Sequence, residues 1–203
     1  MTGVFINYRT KDQPLGAAAI HDHLARRFGS GRVFRDCVSM NPGENYPKEI
    51  RAALMSADIL LAVIGPGWLT ATDGEQRLIE READWVRFEI ATAFTRGIPV
   101  LPVLLKDTPA SAAQITKADV PADISAIAVT QAFEFSQLQF GADLDRLTER
   151  VVKLAPALAD EIDDHAPPDL PPAPVPTSTA TTTTRDVHIA GNGVIGINNG
   201  GVR

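Results

Sequence analysis

Between Asp58 and Gly65 the chain reads Ile-Leu-Leu-Ala-Val-Ile with no polar residue, and this run restricts the fold more than any other feature. A strand with one wet face alternates apolar and polar side chains. A strand that is apolar at every position is covered on both faces, as in a parallel sheet sandwiched between helices. Ile98 to Leu105 repeats the pattern, and both runs are far shorter than the ~20 residues needed to cross a bilayer. They predict buried strands and no membrane partner.

The segments around these runs alternate in type. Val4 to Tyr8 is a short β-type run, followed by Ala17, Ile20, Leu24 and Phe28 at helical spacing until Gly29. Arg32 to Asp36 predicts a second strand, and after a long polar loop Pro47 opens a helix carrying Ile50, Ala53 and Leu54 on one side. The Ile59 run is the third strand and turns out through Gly65-Pro66-Gly67-Trp68. A helix through Trp85 and Glu89, its start obscured by the polar residues 73–83, leads to the fourth strand at Ile98 to Leu105. Ile127 to Phe135 supplies a short fifth strand, and Leu144, Leu147, Val151, Leu154 and Leu158 mark a closing helix. Strands alternating with helices predict a doubly wound α/β domain over residues 1–162.

Beyond it the composition changes. Residues 166–184 hold six of the 15 prolines and a threonine run, so residues 163–186 are expected to be a flexible linker, too poor in apolar surface to fold. Residues 187–203 form a distinct module rich in glycine, asparagine and β-branched residues. Stacked copies could pair every backbone group and align asparagine ladders, although five glycines weaken a strand there. The competing reading is a disordered tail or a single docked strand. Gly191-Asn-Gly-Val-Ile-Gly196 spells a dinucleotide fingerprint, but no helix can follow it, so it is rejected as a cofactor site.

A net charge of -6 without a basic cluster argues against a nucleic-acid partner. The lone Cys37 cannot form an internal disulfide, and the start lacks the regions of a signal peptide, so a cytoplasmic protein is expected. His21 and His23 sit on a predicted helix with no further ligand at metal spacing, and no metal is expected.

Open parallel sheets bind ligands beyond the carboxyl ends of their strands. Here that rim collects Tyr8 and Arg9 after strand one, Asp36 after strand two, the Gly65-Pro66-Gly67 turn after strand three, and the helix bearing Trp85 and Glu89. At helical spacing Val86, Ile90, Ala93 and Phe94 face the sheet while Trp85 and Glu89 fall on an adjacent stripe, which puts Glu89 beside the core rather than inside it. Such a cleft could take a nucleotide, with a phosphate on Arg9 and a ring on Trp85. Each residue also has a plain alternative: a solvated glutamate, a tryptophan or tyrosine covering a core edge, a surface arginine, an aspartate anchoring a turn. Asn41-Pro42-Gly43 reads as a turn.

Phe5-Ile-Asn-Tyr-Arg9, Val33-Phe-Arg-Asp36, Met40-Asn-Pro-Gly-Glu44 and Asp84-Trp-Val-Arg-Phe-Glu-Ile90 together resemble the successive boxes of a bacterial TIR domain over roughly residues 3–155. The resemblance implies a flavodoxin-like five-stranded parallel sheet and, in enzymatic members, NAD+ cleavage by the glutamate that Glu89 matches. NAD+ would be substrate, with no cofactor. Trp85 matches the aromatic beside the dinucleotide, while Tyr8, Arg9, Asp36 and Gly43 are the further expected substrate-binding residues. Residues 37–46 match a mobile loop that can complete a neighbour's site. Thr10 departs from a frequent second basic residue after the tyrosine, against a two-arginine phosphate clamp. The tail resembles the amyloid-signalling motifs of bacterial defence proteins. Self-association through the domain and residues 187–202, with room for an upstream sensor, is the expected partnership. A non-enzymatic adaptor and a nucleoside-processing transferase remain the other readings.

Overall fold

The computed structural model describes residues 3–35, 47–105, 115–136 and 139–159. They all belong to the first of two compact units, Met1–Asp164 and His165–Arg203. The domain limits at 162 and 186, the linker and the tail fall outside the described residues.

Strands β1 (Val4–Tyr8), β2 (Val33–Arg35) and β3 (Ile59–Ile64), a small antiparallel hairpin of β4 (Thr72–Asp73) and β5 (Gln76–Arg77), and then β6 (Val100–Leu105) and β7 (Phe133–Phe135) follow one another along the chain. Five of them form one sheet in the order β2-β1-β3-β6-β7, every pair parallel. This is the flavodoxin-like winding, in which the chain changes direction between β1 and β3. It is the five-stranded parallel α/β winding that the resemblance implies.

Helices cover both faces. Val4, Ile6 and Tyr8 of β1, with Ile59, Leu61 and Val63 of β3, pack against α1 (Pro14–Phe28) and α4 (Phe140–Leu154). Phe5, Leu60, Ala62 and Ile64 take the opposite face, against α2 (Pro47–Met55) and α3 (Trp85–Arg96). The period of two therefore divides each strand between two cores, and all six residues of β3 are buried as its composition requires.

Local chemistry fixes α3, the helix that matters most to the site. Asp84 caps it, its side chain accepting from the Arg87 amide at 2.9 Å. At the other end Gly97 adopts φ 70°, and the Gly97 and Ile98 amides return to the Phe94 and Ala93 carbonyls in a Schellman motif.

Three expectations are corrected. The fifth strand begins only at Phe133, because residues Ala122–Val129 wind into a 3-10 helix. Three-residue spacing puts Ile124 and Ile127 on one side of such a helix, where both are buried. Leu158 sits in a separate 3-10 turn, Pro156–Leu158, since Pro156 has no amide to continue α4. Strand two is Val33–Arg35, with Arg32 in the preceding turn and Asp36 outside the described residues.

Candidate functional site

A cleft of about 620 Å³ opens where β1 and β3 end, at the point where the winding reverses. Its size is that of a pocket for a nucleotide-sized ligand. Tyr8, Arg9, Lys11 and Asp12 line it from the β1 side, Gly67, Thr70, Ala71 and Thr72 from the turn after β3, and Arg81, Asp84, Trp85 and Val86 from the approach to α3. Trp85 is half-buried and meets Phe88 edge-on, with ring centroids 5.5 Å apart at 81°. Tyr8 borders the cleft, although strand alternation sends it into the α1 and α4 core, where it is 6% exposed.

Glu89 is not beside the core but within it, at 1% exposure, and is not among the residues lining the cleft. It lies one turn along α3 from Trp85 and Val86, which do line it. A carboxylate is tolerated there because β1 sends a donor to meet it: Asn7 Nδ2 donates to Glu89 Oε2 at 2.6 Å and to the Val86 carbonyl at 3.2 Å. Asn7 is itself fully buried. The amphipathic stripe gave the correct angular position of Glu89 on the helix. It could not show that the neighbouring strand carries an amide instead of an apolar side chain.

Arg9 is placed differently from a waiting phosphate ligand. Its guanidinium makes a bidentate pair with Asp84, at 2.9 and 3.2 Å, and both side chains are only 7% exposed. One aspartate thus closes the helix end and neutralises the arginine. Other cations at the cleft are Lys11, which is exposed, and Arg81, which pairs with Asp73.

Asp12 was not singled out by the sequence pattern. Its carboxylate accepts the Gly65 and Gly67 amides at 2.9 and 2.8 Å, tying the loop after β1 to the turn after β3. Glycine is required in that turn, since a Cβ on Gly65 would stand 2.3 Å from Gln13 Cγ and 2.6 Å from Asp12 Oδ2. The structure therefore brings Tyr8, Arg9 and Trp85 to one cleft, with Glu89 behind it; Asp36 and Gly43 lie outside the described residues. Among the described residues no group of three His, Cys, Asp or Glu could hold a metal, and no helix is long and apolar enough to cross a membrane.

The sequence profile of the TIR domain matches residues 4–140, about two-thirds of the chain. The chain belongs to the TIR domain family. Among solved structures, this TIR domain is similar to the TIR domains of the activated Roq1 resistosome directly recognizing the pathogen effector XopQ. The identity is 12% over 74% of this chain and 97% of that one, with a TM-score of 0.48. No curated protein matches it. Asn7 and Asp84 stand in two of the boxes that resemble the family, and each had a readable signal. Asn7 shares the α3-facing side of β1 with Phe5, and Asp84 occupies a capping position just before an apolar stripe.

Proposed function

We propose that this TIR domain is an NAD+ glycohydrolase, releasing nicotinamide and ADP-ribose or a cyclised form of it, switched on by self-association in bacterial immune or cell-death signalling. The observation that carries this reading is a buried carboxylate, Glu89, immediately behind a nucleotide-sized cleft at the switch point of the sheet.

The bond to be broken joins ribose C1′ to a cationic pyridinium nitrogen. As it breaks, its electron pair goes to that nitrogen, the ring becomes neutral, and positive charge develops on the ribose. The leaving group needs no protonation, so a single carboxylate suffices where ordinary glycosidases use two. Glu89 would stabilise the charge on the ribose, an effect strongest away from water. A water oxygen then bonds to C1′ and its proton passes to solvent. Trp85, on the cleft wall, offers the flat face for a ring.

Burial of Glu89 also bears on control. Glu89 is buried and does not line the cleft, whereas Trp85 and Val86 do, so the reaction would use a form in which the first turn of α3 or the loop after β1 has shifted to let a ribose reach it. A neighbouring copy that favours the shifted form would then raise activity by changing its population. Residues 187–202 are a second proposed contact for that assembly.

The same burial favours the other reading, a signalling adaptor in which Glu89 is only structural. Nicotinamide release by the full-length chain, measured over a range of protein concentrations, separates the two. Glu89→Gln keeps an oxygen to accept from Asn7 and should stay folded, with turnover reduced by a factor on the order of 100 or more. A folded Glu89→Gln chain that hydrolyses NAD+ at the parent rate would refute the assignment.

A further inference from the structure

We infer that Asn7 is a positioning residue for the Glu89 carboxylate, fixing both its orientation and its charge for the reaction; this rests on the hydrolase reading of the site. Both groups facing the Asn7 amide nitrogen, Glu89 Oε2 at 2.6 Å and the Val86 carbonyl at 3.2 Å, are acceptors, so the nitrogen and not the oxygen has to point at α3. One side chain thereby ties the carboxylate to the backbone of the same helix three residues earlier. Glu89 cannot swing without losing a short hydrogen bond in a place water does not reach.

A residue that merely filled space would not need an amide. Leucine has the same branched outline, though bulkier, and would join Phe5 in the apolar layer without a polar group to satisfy. The amide instead brings an oxygen, Asn7 Oδ1, that is buried with no donor among the described residues. Burying an unmet acceptor is destabilising, and what offsets it here is the donation to Glu89.

Two effects follow. Donation to the ionised carboxylate favours the charged form, so removing Asn7 should raise the pH at which Glu89 titrates. Loss of orientation should lower kcat by roughly 10- to 100-fold while KM stays within about threefold, because the substrate itself is bound by the cleft.

The test uses the full chain with 13C-labelled glutamate, following the Glu89 carboxyl by NMR against pH in the parent, in Asn7→Ala and in Asn7→Ser, with nicotinamide release measured on the same samples. The serine variant keeps a small polar group and serves where alanine does not fold. Titration of Glu89 at higher pH, with the acidic limb of the pH–rate profile moved the same way and kcat reduced at constant KM, is the expected result. An unshifted Glu89 titration in a folded variant overturns the assignment of Asn7, as does unchanged kcat. A parent chain that releases no nicotinamide at any concentration overturns the hydrolase reading instead, and with it Asn7's catalytic role, while the titration still shows whether Asn7 holds the charge.

Discussion

The Arg9–Asp84 pair is the structural element of the cleft whose removal has the largest calculable consequence. Asp84→Ala deletes two things at once: the cap on the Arg87 amide, and the carboxylate paired with a guanidinium that is 7% exposed. A lost cap costs about 1 kcal/mol. Breaking a buried ion pair from one side costs about 3–5 kcal/mol, because the remaining charge is left uncompensated. Arg9 borders the cleft and can draw water in, which places the charge effect at or below the lower end of that range. The expected total is therefore about 3–4 kcal/mol, a large share of the 5–15 kcal/mol by which domains of this size are stable.

Asp84→Ser separates the two contributions, since serine caps a helix but carries no charge. It should lose about 2–3 kcal/mol, and adding Arg9→Met to it should restore most of that by removing the stranded charge. Urea unfolding with a common slope measures each difference as a shift in midpoint. If Asp84→Ala and Asp84→Ser both unfold within about 0.5 kcal/mol of the parent, or if Arg9→Met restores nothing, the pair is not a buried strut. The series also tests the phosphate role expected of Arg9. With Asp84 gone the guanidinium is released, so NAD+ should bind Asp84→Ser more tightly than the parent, and equal affinity would remove Arg9 from the substrate contacts.

Trp85→Ala removes the ring on the cleft wall and should raise KM for NAD+ about tenfold, the size expected for one stacked ring, as read by steady-state nicotinamide release. Gly65→Ala forces a Cβ to within 2.6 Å of Asp12 Oδ2 and should cost about 1–3 kcal/mol in urea unfolding as the Asp12 clamp is pushed aside. Burial of His23 pulls its pKa below the usual value of about 6.5, outweighing the attraction of Asp145. The unfolded chain then binds the proton first, so stability is full above that value and declines as pH falls through it towards the folded pKa; His23→Gln should flatten that part of a melting-temperature profile against pH.

How much of this was legible in the sequence depends on the range of the interaction concerned. The six apolar residues of β3 required two covering layers, and the structure supplies them. Helix ends were readable where a single residue type decides them, as at Gly29 and Pro47. Less readable were segments where neighbours arbitrate. Ile127 to Val129 were expected to open the fifth strand, yet they end the 3-10 helix Ala122–Val129, which buries Ile124 and Ile127 in the α2 and α3 core.

The site divides in the same way. That Tyr8, Arg9 and Trp85 meet follows from topology alone, because the ends of β1 and the start of α3 share one rim. Whether each side chain is available to a ligand depends on pairings across about 75 to 82 residues of sequence, Arg9 with Asp84 and Asn7 with Glu89. Periodicity along one helix cannot encode them: it fixes the direction in which Glu89 points and leaves open what is met there. An apolar partner from β1 would have forced the carboxylate outward to water, whereas the Asn7 amide lets it stay inside. The burial that distinguishes this glutamate from a solvated one is thus decided by position 7, and Asn7→Leu should drive Glu89 towards the cleft or unfold the first turn of α3, either of which hydrogen exchange at the Val86 to Ile90 amides would register.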